Sequence, residues 1–478
     1  MNNILALAPL LIITIGGLFI LLLDVFLKKD NKDYLGYISV FFLIGCSFVC
    51  FLFWNTNKSY FNGSLILDNF SLFFSLLLIA ATFLVILISM KYISLQNSNH
   101  GEYYALLLFA FAGILIMLST TDFIIIFLGL EVLSISSYVL AGLKRNDTKS
   151  SEAAVKYFLL GSFASAFIVY GIALLYGAFQ STNILSISSG FSSSPQPGVM
   201  AIVGFGFVII GFGFKIAVVP FHMWTPDVYQ GAPTPITAFF SVAPKVVGFA
   251  VLLRLLIPYF KSALESEAIF SILWVISALT MVIGNLAALR QTNVKRILAY
   301  SSIAHAGYML VAVLAQDAVS LGYYLTVYLF MNIGAFSAVI ALNKKNKEYV
   351  ELEEYSGIGF KYPWIGVTFS IFLFSLAGFP PTGGFLAKFY VFSTAVRKGL
   401  TTLVIIAVLA SLISVFYYLR IIIHMYMKEP TLDVSIHTKN PALFLVLFIC
   451  LVEVIQLGIF PGSILSFIKE ALTTMSLF

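Results

Sequence analysis

Four ionisable side chains lie near the middle of long apolar stretches of this sequence. They are Glu131, Lys215, Lys245 and Lys388. An ionisable group at the centre of a bilayer costs about 2.5–3.5 kcal/mol on the insertion scale, so such a group is usually retained because it moves ions or protons. Lysine and carboxylate side chains can both exchange protons when their surroundings change. The residues therefore predict transport, with protons as the favoured cargo.

The order of these residues along the chain suggests a relay. Glu131 is expected either to be protonated or to pair with Lys215, because each charge would offset the desolvation of the other. Lys245 is the next candidate, His305 could join the two halves of the chain through water, and Lys388 would be the terminal carrier. A single apolar-face histidine is more often structural, but the four buried ionisable neighbours favour a functional role here.

Three further residues are weaker candidates for the same pathway. Glu152 and Lys156 are four residues apart, which is the spacing of a salt bridge along one helix face. They could feed protons inward, or they could only anchor the helix. His222 follows Pro220 by two residues, and it could extend the pathway or bind carbonyls that the proline leaves free.

Composition places the chain in a membrane. Of its 478 residues, 60% are hydrophobic and only 10% are charged, which is too little polar surface for a soluble protein of this size. The three cysteines lie in apolar segments without CxxC spacing, so metal, iron–sulfur and disulfide sites are not expected. The net charge of +6 comes largely from short loops beside apolar segments, so it does not indicate nucleic-acid binding. The expected surroundings are a lipid bilayer.

Cutting the chain at polar and turn-rich breaks predicts an all-α polytopic membrane protein with about fourteen transmembrane helices. The apolar segments lie near residues 3–27, 34–54, 65–91, 103–119, 121–142, 151–180, 199–231, 234–257, 268–290, 295–315, 317–343, 361–398, 400–427 and 441–472. If the amino terminus faces outward, sixteen lysines and arginines lie in or beside the inner loops, and only five on the outer side. The positive-inside rule then places both termini outside.

Two of these segments are too long for a simple crossing, because about 20 residues already span a bilayer. Segment 199–231 contains Pro220 and segment 361–398 contains Pro380, and both residues break a helix in mid-membrane. The prolines are 160 residues apart, and matched tyrosines recur at similar spacing. This repeat of five helices has odd parity, so its two copies must be inverted in the membrane.

The repeat suggests four parts of the chain. They are an N-terminal three-helix segment at 1–102, a first five-helix repeat at 103–257, a second inverted repeat at 268–427, and a C-terminal helix at 441–478.

Two sequence segments closely resemble the antiporter-like membrane subunits of respiratory complex I. They are VPFHMWTPDVYQGAPTPITAFF, within 214–256 and followed by Lys245, and QTNVKRILAYSSIAHAGYML at 291–310. The resemblance covers essentially the whole chain. It implies fourteen helices, with broken helices 7 and 12. It also implies that Glu131 is the helix-5 glutamate, and that the lysines of helices 7, 8 and 12 are Lys215, Lys245 and Lys388.

The resemblance further implies a proton-translocating subunit of NADH:quinone oxidoreductase in a bacterial inner membrane. Its partners would be the other membrane and peripheral subunits, including other antiporter-like ones. NADH, FMN, iron–sulfur clusters and quinone would act in those partners, and this chain would hold no cofactor or metal.

Three alternatives remain open at this point. One is a subunit of a multi-component Na⁺/H⁺ antiporter, which shares the charged residues but differs after the helix-7 break. Another is a broken-helix symporter whose lysines bind an anionic solute. The third is a purely structural assembly subunit.

Overall fold

The computed structural model describes residues 3–27, 32–96, 101–193, 198–262, 266–344, 347–430 and 440–474. Nearly all of the regular structure is helical. The helices in chain order are α1 (Asn3–Ala6), α2 (Ala8–Phe26), α3 (Asp33–Leu52), α4 (Asn69–Leu95), α5 (Glu102–Leu118), α6 (Phe123–Ala141), α7 (Thr148–Phe179), α8 (Ile184–Ser193), α9 (Val199–Ile216), α10 (Trp224–Gly231), α11 (Thr234–Ser262), α12 (Ser266–Leu289), α13 (Val294–Leu314), α14 (Ala318–Ala341), α15 (Ile358–Lys361), α16 (Pro363–Ala377), α17 (Gly383–Arg397), α18 (Thr401–Met427), α19 (Pro441–Ile459) and α20 (Gly462–Thr473). Strands β1 (Lys58–Tyr60) and β2 (Leu65–Leu67) form a short antiparallel hairpin.

The helices confirm the all-α polytopic fold. Twelve of them are long and apolar enough to cross a membrane by length and composition. Two shorter apolar helices, α5 and α16, stand where the fourth and twelfth spans are predicted. Together they account for the fourteen predicted crossings.

Burial separates the central helices from the peripheral ones. Every residue in the apolar window of α11 is buried, as are 94% of those in α13 and in α14. In α2, by contrast, only 28% are buried, which leaves large apolar side chains on the outside. Such side chains suit contact with lipid or with neighbouring subunits. The central helices α11 and α13 carry Lys245 and His305.

Three details of the predicted spans are wrong. The last one, 441–472, is two helices, because the chain turns at Phe460 and Pro461 between α19 and α20. Proline has no amide hydrogen and fits poorly inside a continuing helix, although the apolar composition runs on through it. The third span begins at Asn69 and not at residue 65, because residues 65–67 form β2. The α8 helix in the loop after α7 was not predicted either.

Both long spans are broken in their middle, as predicted. The α9 helix ends before Ala217 (φ 60°), and α16 ends before Gly378 (φ 91°). The residue that follows each helix therefore has a left-handed backbone conformation. The Val218 amide donates to the Gly213 carbonyl over 3.0 Å, which satisfies one carbonyl at the end of α9. The chain then resumes as α10 after the first break and as α17 after the second.

Backbone pairing shows the inverted relation between the two halves. Residues 121–123, at the start of α6, pair with residues 182–184 through hydrogen bonds of 2.9 and 2.8 Å. Residues 292–294, at the start of α13, pair with residues 350–352 through bonds of 2.7 and 2.8 Å. Five crossings, counting α6 itself, lie between the start of α6 and the start of α13, so the matching pairs stand on opposite sides of the membrane. The domain boundaries remain a prediction, which this pairing supports.

An ion pair joins the N-terminal helices to the centre of the fold. Asp68 caps α4 by accepting a 2.9 Å hydrogen bond from the Ser71 amide. Its two carboxylate oxygens also accept bonds of 2.9 and 2.7 Å from the Arg254 guanidinium of α11. Both side chains are buried, and a buried pair of this kind is strongly destabilised when one partner is removed. The pair therefore fixes the position of α11 against α4.

The orientation can be tested with single cysteines, because the three native cysteines are buried. Ser59 in the hairpin and Asn146 in the loop after α6 are both exposed. We expect a membrane-impermeant maleimide to label Ser59→Cys in spheroplasts, and Asn146→Cys only in inverted vesicles. The unmodified chain is the control. Labelling of both positions from the same side would contradict the assigned orientation.

Candidate functional site

Lys388 lies just beyond the second helix break and binds the end of the helix before it. Its ammonium group donates hydrogen bonds to the carbonyls of Leu376 (3.1 Å) and Ala377 (2.8 Å), and to the Ser411 hydroxyl (2.9 Å). The two carbonyls belong to the last turn of α16, where the break leaves them without amide partners. The carboxyl end of a helix also carries partial negative charge, so it favours a cation there.

A cavity of about 600 Å³ lies beside Lys388, between α17 and α18. Most of its lining is apolar, and it includes Phe385, Phe389 and Val404. The α17 helix forms the outer half of its span in the assigned orientation, so the cavity lies on the outer side of the break.

Tyrosine and amide groups extend from Lys388 into the centre of the second half. The ammonium nitrogen is 5.1 Å from the centre of the Tyr308 ring. The Tyr308 hydroxyl accepts a 3.0 Å hydrogen bond from the amide of Asn285, whose carbonyl accepts one of 2.9 Å from Tyr417. Sequence reasoning missed this network, because only the fold brings α12, α13 and α18 together.

His305 lies between Lys245 and Lys388 and is close enough to interact electrostatically with both. Its Nδ1 is 2.7 Å from the Tyr324 hydroxyl, and its Nε2 is 3.4 Å from the Tyr418 hydroxyl. Both ring nitrogens therefore face groups that can donate or accept a proton.

Lys245 projects from the central helix α11 toward α13. Its ammonium group donates a hydrogen bond to the carbonyl of Ser302. The Ser302 hydroxyl in turn accepts a 2.8 Å hydrogen bond from Tyr328 and lies 3.4 Å from the hydroxyl of Tyr229. Ser302 thus connects Lys245 to hydroxyl groups on two other helices.

Lys215 lies in the last turn of α9, and aromatic rings surround its ammonium group. Its ammonium group donates a 2.6 Å hydrogen bond to the Ser134 hydroxyl of α6. The ring centres of Tyr138, Tyr157 and Phe214 lie 5.7, 5.8 and 5.9 Å from the nitrogen. Aromatic faces at this range attract a cation, and they do so more strongly once water is excluded. The lysine is only 3% exposed.

Glu131 does not form the expected direct ion pair with Lys215. Its carboxylate accepts a hydrogen bond from the Ser165 hydroxyl of α7, whereas Lys215 is bound to Ser134. Ser134 stands one helical turn after Glu131, so the serine takes the position that the sequence suggested for the carboxylate. The two charges still interact electrostatically. Glu131 is only half-buried, on a face of α6 that exposes Leu128.

The predicted spacing of Glu152 and Lys156 is confirmed as an ion pair of 2.6 Å. Lys156 also contacts Asp227 of α10 at 2.6 Å, and Asp227 contacts Arg296 of α13 at 2.6 Å. The four residues form a partly exposed charged cluster on the inner side. Asp227 and Arg296 were not assigned from the sequence, because only the fold brings α7, α10 and α13 together.

His222 lies in the turn between α9 and α10. It is half-buried, and its Nδ1 has no hydrogen-bond partner in the part of the chain that the structure describes. Its place in the pathway therefore stays a prediction.

Comparison with known proteins gives one consistent family. Residues 119–414 match the family described as NADH:quinone oxidoreductase/Mrp antiporter, TM. A Trichlorobacter lovleyi protein named NADH-quinone oxidoreductase subunit N is 43% identical over 473 residues, which cover 98% of this chain and 97% of that protein. A Chloroflexus aggregans protein of the same name is 39% identical, with 98% and 97% coverage.

Solved structures agree with the sequence relatives. A chain of respiratory complex I from Thermus thermophilus is 33% identical with a TM-score of 0.82, over 96% of this chain and 98% of that one. A chain of the Mrp complex from a Dietzia species has a TM-score of 0.84 over 99% of this chain and 98% of that one, but it is 21% identical and shows the fold alone. The protein is thus a multi-pass protein of the bacterial inner membrane. The chain belongs to the antiporter-like membrane subunits of NADH:quinone oxidoreductase, in the subunit N group.

Proposed function

We propose that this chain conducts protons across the membrane as part of an assembled NADH:quinone oxidoreductase. Electrons would pass from NADH through FMN and iron–sulfur clusters to quinone in other subunits. The proton pathway would consist of Glu131, Lys215, Lys245, His305 and Lys388. Further candidates are Glu152 and Lys156 near the inner side, and His222 at the first helix break.

The observation that carries this proposal is the position of His305 between two buried lysines. Histidine can accept a proton at one ring nitrogen and release it from the other. Here each ring nitrogen faces a tyrosine hydroxyl, and both Lys245 and Lys388 are within electrostatic reach. Such an arrangement permits stepwise transfer between the two lysines.

The partners of the lysines also suit transfer. In the described part of the chain, the contacts of Lys245 and Lys388 are carbonyl and hydroxyl oxygens and not carboxylates. A neutral acceptor holds a cation less firmly than a carboxylate does, so the charge can be redistributed at lower energy. The cavity beside Lys388 would then connect this last lysine to the outer side.

The same geometry weakens the symporter alternative. A bound anion would need several cations that converge on one pocket. Lys215, Lys245 and Lys388 instead contact separate partners on different helices. The polar groups are distributed along the protein, as a proton pathway requires.

The pathway can be tested at Lys215. Both Lys215→Ala and Lys215→Arg should lower NADH-driven proton translocation, because alanine has no ionisable group and arginine does not release its proton. We expect the fall to be roughly a hundredfold or more, because a positioned proton-transfer group typically contributes about 10²–10⁴-fold. Translocation would be followed with a pH-sensitive dye in inverted vesicles. Transfer of electrons from NADH to an artificial acceptor would report assembly.

The matched control is Lys58→Ala, which removes an exposed lysine of the hairpin. It should translocate protons normally. Normal translocation by an assembled Lys215→Ala variant would contradict the proposed function.

A second test uses two glycines with similar backbones. Gly378 (φ 91°) lies against Lys388, and an added Cβ would be 3.3 Å from the ammonium nitrogen. Gly399 (φ 81°) has no atom within 4 Å of such a Cβ. Alanine at either position should cost about 1–2 kcal/mol in backbone strain. Only Gly378→Ala should also displace Lys388 and lower proton translocation. Thermal unfolding and dye quenching would measure the two effects, and equal translocation by both variants would argue against the position assigned to Lys388.

A further inference from the structure

A buried glutamate lies at the inner face, outside the pathway described so far. Glu348 is in the loop between α14 and α15. One of its oxygens accepts hydrogen bonds from the Lys144 ammonium, at 2.7 Å, and from the Tyr92 hydroxyl. The other oxygen is 3.5 Å from the ammonium nitrogen of Lys295. The glutamate side chain is 15% exposed, so it retains narrow access to the inner solution.

Four separate parts of the fold meet at this carboxylate. Tyr92 comes from α4, Lys144 from the loop after α6, Lys295 from α13, and Glu348 from the loop after α14. Lys295 is fully enclosed at 1% exposure and donates a further 2.7 Å hydrogen bond to the Ala232 carbonyl between α10 and α11. The cluster therefore joins both five-helix halves on the inner side.

The cluster is aligned with the central lysine along one face of α13. Ser302, whose carbonyl binds Lys245, follows Lys295 by seven residues, and His305 follows by ten. These spacings place all three residues on the same side of a helix. The helical rise puts Ser302 about 10 Å deeper than Lys295. Lys295 and Ser302 thus lie on one face of α13, with Leu298 and Ala299 between them, and this face leads from Glu348 toward the buried pathway.

We propose that Glu348 is the group at which protons from the inner solution enter this chain. The proposal rests on the proposed function of the chain. A hydronium ion of the inner solution gives a proton to the Glu348 carboxylate, which becomes the neutral acid, and a water molecule is released. After the Lys295 ammonium group has released a proton toward Lys245 and become a neutral amine, the acid passes its own proton to that amine, and the carboxylate is restored. The proton then continues along the face of α13 toward Lys245.

The electrostatics of the loop residues agree with this role. Burial raises the pKa of Glu348 to about 8, and burial lowers the pKa of Lys144 to about 8. A hydrogen bond from the Thr234 backbone opposes the first shift, and the nearby charge of Asp147 opposes the second. A carboxyl group with a pKa near 8 can gain and lose a proton close to neutral pH. The other titratable groups around the cluster are Tyr92 of α4, Asp147 before α7, Lys149 of α7, Lys295 of α13, and Lys347 and Tyr355 of the glutamate's own loop.

The test compares Glu348→Gln with Glu348→Asp in inverted vesicles that contain the assembled complex. Glutamine keeps the size and an acceptor oxygen but cannot titrate, whereas aspartate can. We expect Glu348→Gln to lower NADH-driven proton translocation roughly a hundredfold or more, and Glu348→Asp to retain part of it. The control is Glu354→Gln in the same loop. One oxygen of this carboxylate accepts hydrogen bonds from the amides of Val350 and Glu351, and the glutamine carbonyl can accept them too, so translocation should stay normal.

The pH profile separates proton transfer from a structural contact. If the protonated carboxyl group of Glu348 carries the proton, translocation should fall as the pH rises through about 8. In Glu348→Gln this dependence on pH should be absent. Lys144→Gln removes a neighbouring cation and so favours the protonated acid, which should move the fall to higher pH while assembly is kept. This second variant remains informative if Glu348→Gln does not assemble.

The outcomes are distinct. Normal translocation and an unchanged profile in Glu348→Gln would overturn the role of Glu348, as would an unchanged profile in Lys144→Gln. Equal loss of assembly in Glu348→Gln and Lys144→Gln would show a structural clamp instead and would also overturn the proposal. A parallel Lys215→Ala measurement reports on the pathway itself. Impaired translocation in Lys215→Ala, together with normal translocation in Glu348→Gln, would reject only the role of Glu348. Normal translocation in Lys215→Ala would reject the proposed function.

Discussion

A helix that breaks inside a bilayer leaves carbonyl groups that water cannot reach, and this constraint shapes both halves of the molecule. At the second break, Lys388 supplies the missing donors to the carbonyls of Leu376 and Ala377. At the first break, the indole of Trp224 donates a 3.1 Å hydrogen bond to the Phe214 carbonyl. Lys215, the lysine of the first break, is therefore not needed as a donor to that carbonyl, and its ammonium group donates to the Ser134 hydroxyl instead.

The choice of neutral partners for the buried cations has a consequence for function. Carboxylates do occur as partners of cations in this chain, but those pairs lie away from the three central lysines. Asp68 holds Arg254 in place, and Asp227 holds Arg296. Around Lys245 and Lys388 the acceptors are carbonyls and hydroxyls. The fold thus uses ion pairs to fix its helices and leaves the central lysines with neutral partners, as the proposed proton pathway requires.

Much of the fold follows from sequence because the bilayer permits few solutions. Apolar length predicts the crossings, and Pro220 and Pro380 mark the breaks, since a proline interior to a span removes a backbone bond. The same reasoning fails at Pro461, where apolar composition continues into α20 although the chain has already turned. Opposite charge suggested a Glu131–Lys215 pair, but composition cannot show that Ser134 lies closer to the lysine. Glu348 was not identified at all, because its loop is polar in sequence and becomes buried only when four distant segments meet.

The proposed pathway requires that the amine at position 388 exchange its proton and not merely carry a charge. Chemical modification of Lys388→Cys from the adjacent cavity tests it most directly, because the native cysteines are buried. Aminoethyl methanethiosulfonate would restore a titratable amine there, and its trimethylammonium counterpart would install a fixed positive charge. We predict that NADH-driven proton translocation recovers with the amine and not with the fixed charge, relative to unmodified chain treated in parallel. Equal recovery with both reagents would show that a permanent cation suffices, and it would contradict the account.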